Sequence, residues 1–327
     1  MFKVILCFVF YISILNIAHA SYAIQQSEES FATAVVLTDN DTISLGVGNF
    51  NPDALLKLND PNLSEHLLEG ESIDLRNQLK VYSIPYTFKL NQHNKEWSDS
   101  ITFHAAYIEQ ESRNYFPGET DLVPDDNIDK TYSGYLAYSK HLSITKNMRL
   151  RLRIGGYIMH HENIYRYNND KSKSIKPFVD GEIFNTTANA AIIEPNVKLT
   201  YTKIKDWGKW AISSDINYFT GKVYSGSESN VGAKPNGWRI NNGVKVHFDV
   251  NKGNSFTESL YMKFQRIDIK GDMVTTLKTS HFYEVGIGAL IDIRSLTDLV
   301  DNIGVGLNIN KGSSLSGGSI VFYINEF

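Results

Sequence analysis

Four groups of side chains in this chain have types and spacings that chemistry can use. His141-Leu142-Ser143 sets an imidazole two residues from a hydroxyl, the pairing of a general base with a serine nucleophile. His160-His161-Glu162 offers metal-ligating donors, but adjacent residues of an extended chain point to opposite faces, so two neighbouring imidazoles do not easily share one ion. Asp121, Asp125 and Asp126 form an acidic cluster that, with a histidine, could activate water for peptide hydrolysis. Arg149, Arg151 and Arg153 recur at every second position, which lines up three guanidinium groups on one face of a strand and could draw anions toward it.

The elements that must position these groups announce themselves by period-two alternation, which an extended chain with two unlike faces requires. Tyr283, Val285, Ile287, Ala289, Ile291 and Ile293 share one face, while Glu284, Gly286, Gly288, Asp292 and Arg294 share the other. In the same way Trp238, Ile240, Val244, Val246, Phe248 and Val250 alternate with Arg239, Asn241, Gly243, Lys245, His247 and Asp249. Leu150, Leu152 and Ile154 alternate with the arginine row. The runs are about 10–16 residues long, where soluble strands average about 5–6 and a tilted membrane strand needs about 9–11.

Twelve strands are predicted, over 41–50, 76–91, 97–111, 131–144, 147–164, 188–204, 209–225, 237–250, 255–269, 279–294, 302–311 and 317–327. Short turns come after the even-numbered strands. Longer loops, at 51–75, 112–130, 165–187, 226–236 and 270–278, come after the odd ones, apart from a short last connection near 312–316. A sandwich has no reason to alternate its connections so, whereas a membrane barrel with short turns at one end and long loops at the other does. The stretch 165–190, with Lys176-Pro177-Phe178-Val179, could hold a further short strand. Pro85 and Pro195 fall inside strands and are expected at a bulge or rim, because each removes a ladder hydrogen bond. Trp97, Trp207 and Trp210 beside short turns, and Tyr132, Tyr224 and Trp238 beside long loops, fit two interfacial girdles.

Residues 1–20 carry Lys3, an apolar run from Val4 to Leu15, and Ala18-His19-Ala20 ahead of Ser21. This is the pattern of a signal peptide cleaved after Ala20, too short to span a bilayer as a helix. Beyond Ala20 there is no cysteine, Cys7 being the lone one, so disulfide frameworks, thiolate zinc sites and thiol nucleophiles are excluded. The mature chain carries 31 basic against 36 acidic residues, which argues against nucleic acid as a partner. The sequence has 18 Tyr, 17 Phe and 4 Trp, a supply that membrane interfaces use.

With the apolar face toward lipid, the other face lines a lumen. Its charged residues are Arg149, Arg151, Arg153, Glu194, Lys198, Asp215, Arg239, Lys245, Asp249, Glu284, Asp292 and Arg294. Both signs are present, so cross-strand pairing in a hydrated interior is expected, with anion selectivity by the arginine row as the sharper option. The His-x-Ser spacing is similar to that of an outer-membrane phospholipase, which keeps its catalytic pair on the lipid face. Here alternation puts His141 and Ser143 on the lumen face, beside a short turn, and no catalysis is expected of them. Residues 21–40 are expected to form a short helix or irregular plug in the pore, with Ser27 as its cap and Phe31 and Val35 on one face. A strand over Phe31–Leu37 is the alternative.

The last strand, ending on Phe327 with Tyr323 and Val321 alternating on its face, resembles the terminal insertion signal of bacterial outer-membrane barrels. Together with length and strand number, it makes the chain similar to the translocator barrel of autotransporters in the solitary form that lacks a passenger domain. Asn325 departs from that pattern, where an apolar residue is usual, and Asn40-Asp41 has the dipeptide of a self-cleavage junction with no passenger ahead of it to release.

The chain is therefore expected to be an all-β protein, a single antiparallel transmembrane β-barrel of the outer-membrane type. Residues 1–20 are a signal peptide, 21–40 an amino-terminal segment at or in the lumen, and 41–327 a barrel of twelve strands. The resemblance implies a non-catalytic, transport-related or structural role in the outer membrane of a Gram-negative bacterium. A narrow porin-like channel for small solutes, anionic ones included, is the alternative. No cofactor or metal is expected. The partners expected are membrane lipid and lipopolysaccharide, the barrel-insertion machinery and small solutes.

Overall fold

The computed structural model describes residues 22–38, 43–44, 79–93, 96–114, 123–252, 257–296, 300–312 and 316–325. Its wall is an antiparallel sheet of eleven long strands: β2 (Leu79–His93), β3 (Trp97–Asn114), β4 (Asp125–Ser143), β5 (Met148–Arg166), β6 (Thr187–Lys205), β7 (Gly208–Gly226), β8 (Asn236–Lys252), β9 (Thr257–Gly271), β10 (His281–Asp292), β11 (Asn302–Gly312) and β12 (Ser316–Ile324). Each pairs with its neighbours in sequence. A two-residue strand, β1 (Ile43–Ser44), pairs with both ends of the sheet, Ile43 with Phe322 and Ser44 with Ser83, and closes the ring. The expected first strand, 41–50, is thus described only at these two residues. The rest of that expected strand, the expected loop 51–75 and Asn40-Asp41 fall on residues outside those described.

Alternation sets the two faces as the residues dictate. On β10, Tyr283, Val285, Ile287 and Ile291 are exposed outward, while Phe282, Glu284, Gly286 and Leu290 are buried inward. Closure is the condition for crossing a bilayer with strands, since backbone polar groups in lipid must find their partners within the protein. Outward rings gather near both ends. Tyr82, Tyr107, Tyr132 and His160 form a run of ring contacts near the long loops. Trp207 stacks on Phe248, and Tyr201 meets Trp210, near the short turns.

Residues 22–38 form a helix, α1, inside the barrel. Phe31, Ala32, Ala34, Val35 and Val36 pack with inward residues of the wall, among them Ile108, Tyr157, Met159, Ala190, Phe219 and Ile267. Ser27 lies within this helix rather than at its cap, and the alternative of a strand over Phe31–Leu37 is excluded.

Other local expectations change as well. β4 begins at Asp125 rather than 131, so Asp125 and Asp126 belong to a strand paired with β3 and β5, not to a loop. The segment 165–190 holds a helix, α2 (Asp170–Val179), rather than a strand, because Asn169 caps it: its side-chain oxygen accepts the Ser172 amide at 2.9 Å. Neither proline sits at a bulge or rim. Pro85 pairs in register with His104, and the irregularity of β2 falls later, between Lys89 and Gln92. At Pro195 the β6–β7 ladder loses its pairs, together with those of Glu194, and resumes at Asn196 in the same register. A five-residue helix, α3 (Met273–Leu277), comes after β9 and adds Met273 and Leu277 to the cluster around α1.

Candidate functional site: an occupied lumen

The inward positions below the apolar cluster are polar, and many of them bond one another. Glu194 is fully buried and accepts the hydroxyls of Tyr135 and Tyr157, each at 3.3 Å, while the two rings lie 4.3 Å apart. Gly155 makes this possible, since a Cβ there would overlap the Tyr135 ring. Toward the short-turn end, Arg151 donates to Asn196 at 3.1 Å and to Asp215 at 3.2 Å, and Lys198 approaches Asp215 at 3.9 Å. Asn196 also donates to Asp215 and Asn217.

On the β8–β12 side, Lys263 and Glu284 form a buried ion pair, with Gln265 donating to Glu284 at 3.4 Å. Tyr261 packs on Tyr323 at 4.8 Å and edge-on to His247 at 5.2 Å, and the Tyr323 hydroxyl donates to Asn308 at 3.3 Å. Lys245 lies 6.0 Å over the Tyr261 ring, and Asp249 accepts the Ser259 hydroxyl at 3.0 Å. Arg239 is buried on the same inward face.

Most of the expected lumen charges therefore do face inward. Two do not act there. Arg294 lies in the turn past the end of β10, exposed, and donates from Nε to both oxygens of the half-buried Asp292 at 3.0 and 2.9 Å. Arg149 is exposed beside the turn at 144–147, while Arg151 and Arg153 are drawn inward, so the row is not an open arginine face.

The catalytic candidates find structural partners. His141 meets the Ser100 hydroxyl at 3.0 Å, while Ser143 lies exposed at the strand end and its amide donates to Glu96. His160 and His161 point to opposite faces: His160 bonds Asn189 at 2.9 Å, and the buried His161 bonds Thr131 at 3.0 Å and approaches Asp129 at 3.4 Å. Glu162, the third member of that motif, is half-buried and pairs in register with Lys130. Asp125 gathers four donors, the Asn168 amide at 2.7 Å, Ser172 Oγ at 2.9 Å, Tyr165 Oη at 2.9 Å and Asn169 Nδ2 at 3.2 Å, and so anchors the loop that carries α2. Asp126 accepts from Asn168 at 3.2 Å; Asp121 lies outside the described residues.

The terminal face also needs correcting. Val321 and Tyr323 are buried inward, and Ile320 and Phe322 take the outward positions. Pairing with β11 sets these faces, Val321 opposite Gly306 and Tyr323 opposite Gly304. Past the strand, Asn325 takes the left-handed backbone at φ 56° while its side chain accepts the Asp301 amide at 2.6 Å. Phe327 lies outside the described residues.

The helix packs against the inward face of the wall. At its long-loop end Glu28 accepts the Lys234 amide at 2.7 Å, and Glu29 accepts the Thr276 hydroxyl at 3.4 Å. A family model described as the solitary outer membrane autotransporter β-barrel domain matches residues 28–326, which takes in both the wall and most of this helix. The chain belongs to that family. As a solitary autotransporter barrel it is an outer-membrane β-barrel of the Gram-negative type.

The transport unit of the autotransporter AIDA-I from Escherichia coli is similar in structure at 9% identity, with a TM-score of 0.47, over 93% of this chain and 96% of that one. The translocator domain of the autotransporter NalP from Neisseria meningitidis gives 11% identity and 0.47, over 94% and 98%. The β domain of the Bordetella autotransporter BrkA gives 10% and 0.46, over 76% and 91%. No curated protein matches the chain.

Alternation alone places Glu194, Asp215 and Glu284 on the inner face, but it does not reveal Tyr135, Tyr157, Asn196 and Lys263 as their partners. The same period-two signal turns these residues inward. Which strands bring them together is a matter of register.

Proposed function

We propose that this protein is a closed translocator-type barrel without catalytic activity, its lumen occupied by its own amino-terminal helix and by paired polar side chains. The observation that carries this is the seating of α1: Phe31 and Val35 are wholly buried among inward residues of the wall, so the helix fills bore that a diffusion channel would keep as water. The inner arginines Arg151 and Arg153 then serve the internal network rather than a selectivity filter. Export by a signal peptide cleaved after Ala20, insertion by the outer-membrane barrel machinery and contact with lipopolysaccharide complete the proposal, with no role for nucleic acid.

Planar-bilayer recording of the refolded chain, beside a version lacking residues 22–38, tests it. Silence in the first and steady conductance in the second is the expected result. Equal, steady conductance in both would overturn the proposal in favour of an open channel. Turnover of lipid or peptide that disappears on His141→Ala would overturn its non-catalytic part.

A further inference from the structure

The helix in the lumen is not apolar all round. Gln26, Glu29, Ser30 and Thr33 succeed one another at helical spacing and form a polar stripe along one side. That stripe faces a cavity of about 210 Å³, walled on the barrel side by Asp129, Thr131 and His161 among others. Thr33 is 5% exposed, and its hydroxyl has no hydrogen-bond partner among the described residues. A buried hydroxyl left so calls for a partner, and this one lines the cavity.

The charge of the cavity is one-sided. Glu29 and Asp129 are its carboxylates, and neither lysine nor arginine lines it among the described residues. His161 lies against the second of them, approaching Asp129 at 3.4 Å and bonding the Thr131 hydroxyl at 3.0 Å. Asp129 is held in place by Asn163 at 2.8 Å and Asn127 at 3.1 Å, so its charge is fixed in position rather than free to swing away.

We infer that this cavity binds a small organic cation carrying primary ammonium groups, with Glu29 and Thr33 accepting its N–H groups and Asp129 adding to the field. A primary ammonium supplies donors and no acceptor, which suits carboxylates and a hydroxyl oxygen better than a neutral or anionic solute does.

Isothermal titration of the refolded full chain in zwitterionic micelles with 1,4-diaminobutane tests the assignment, beside 1,4-butanediol, succinate and magnesium chloride. Saturable binding of the diamine alone is expected. Glu29→Gln should weaken it about tenfold or more, since a charge-assisted hydrogen bond is removed, and Thr33→Val by a smaller factor. Heat-modifiable electrophoretic mobility confirms that each variant is folded, and Asp129→Asn supplies a second charge-neutralising change on the wall side. No saturable binding would overturn the proposal and leave the cavity simply hydrated. Undiminished binding in both Glu29→Gln and Asp129→Asn would overturn it too, as would binding of magnesium in place of the diamine.

Discussion

Phe31 of the internal helix meets His161 of β5 edge to face, with ring centroids 5.8 Å apart and planes inclined at 64°. This contact joins the plug to the wall across two parts of the chain that lie far apart in sequence. His161 is in turn fixed by Thr131 and Asp129, so the ring that receives Phe31 is itself immobilised by the wall.

Phe31→Ala should therefore loosen the helix without undoing the barrel. A fully buried phenylalanine truncated to alanine costs about 3–5 kcal/mol. The wall's ladder does not depend on it, so heat-modifiable mobility should persist. Hydrogen exchange over 22–38 should rise and bilayer conductance should appear intermittently. Unchanged exchange would show that the helix is held by other contacts.

The buried pair Lys263–Glu284 should behave asymmetrically. Lys263→Ala alone leaves a carboxylate without its cation and should cost about 3–5 kcal/mol, as should Glu284→Ala. Replacing both by Met and Leu should cost much less, because no charge is then left alone in the lumen. Urea unfolding of the refolded barrel, followed as a double-mutant cycle, measures this; additive losses would contradict it.

Asp125→Ala should release a loop rather than a strand. Four donors from Tyr165, Asn168, Asn169 and Ser172 converge on that carboxylate, and they include the residues that start α2. Limited proteolysis should cut faster between 167 and 186 while the barrel stays intact. An unchanged cleavage pattern would mean that the cap at Asn169 suffices.

The contribution of Asp272 to stability, at the long-loop end, should fall as pH rises across the carboxylate range. Burial, opposed by the Asn236 hydrogen bond and assisted by Glu28 and Glu29, raises the Asp272 carboxyl above its ordinary value. A carboxyl raised in the folded state binds its proton more tightly there than when unfolded. Its stabilising share is full below the unfolded value, about 3.9, and is lost as pH rises through the folded one. The urea midpoint of the unaltered chain, taken relative to that of Asp272→Asn, should drop over that window; a constant difference would contradict it.

The alternation of residues 281–294 and its counterparts was enough to show strands, their two faces and the rhythm of short turns and long loops, because period two is a property of the local chain. The shared face of Phe31 and Val35 was also legible, since their spacing places them on one side of a helix. What only the tertiary structure decided is where faces meet. Tyr135 and Tyr157 reach Glu194 through the register of β4, β5 and β6, and a one-residue slip would send all three outward. Asp125 became a loop anchor because β4 extends six residues beyond its alternating run and brings that carboxylate under Asn169. The inward facing of Val321 and Tyr323 comes from the register of β12 against β11, which the alternation of a single strand cannot express.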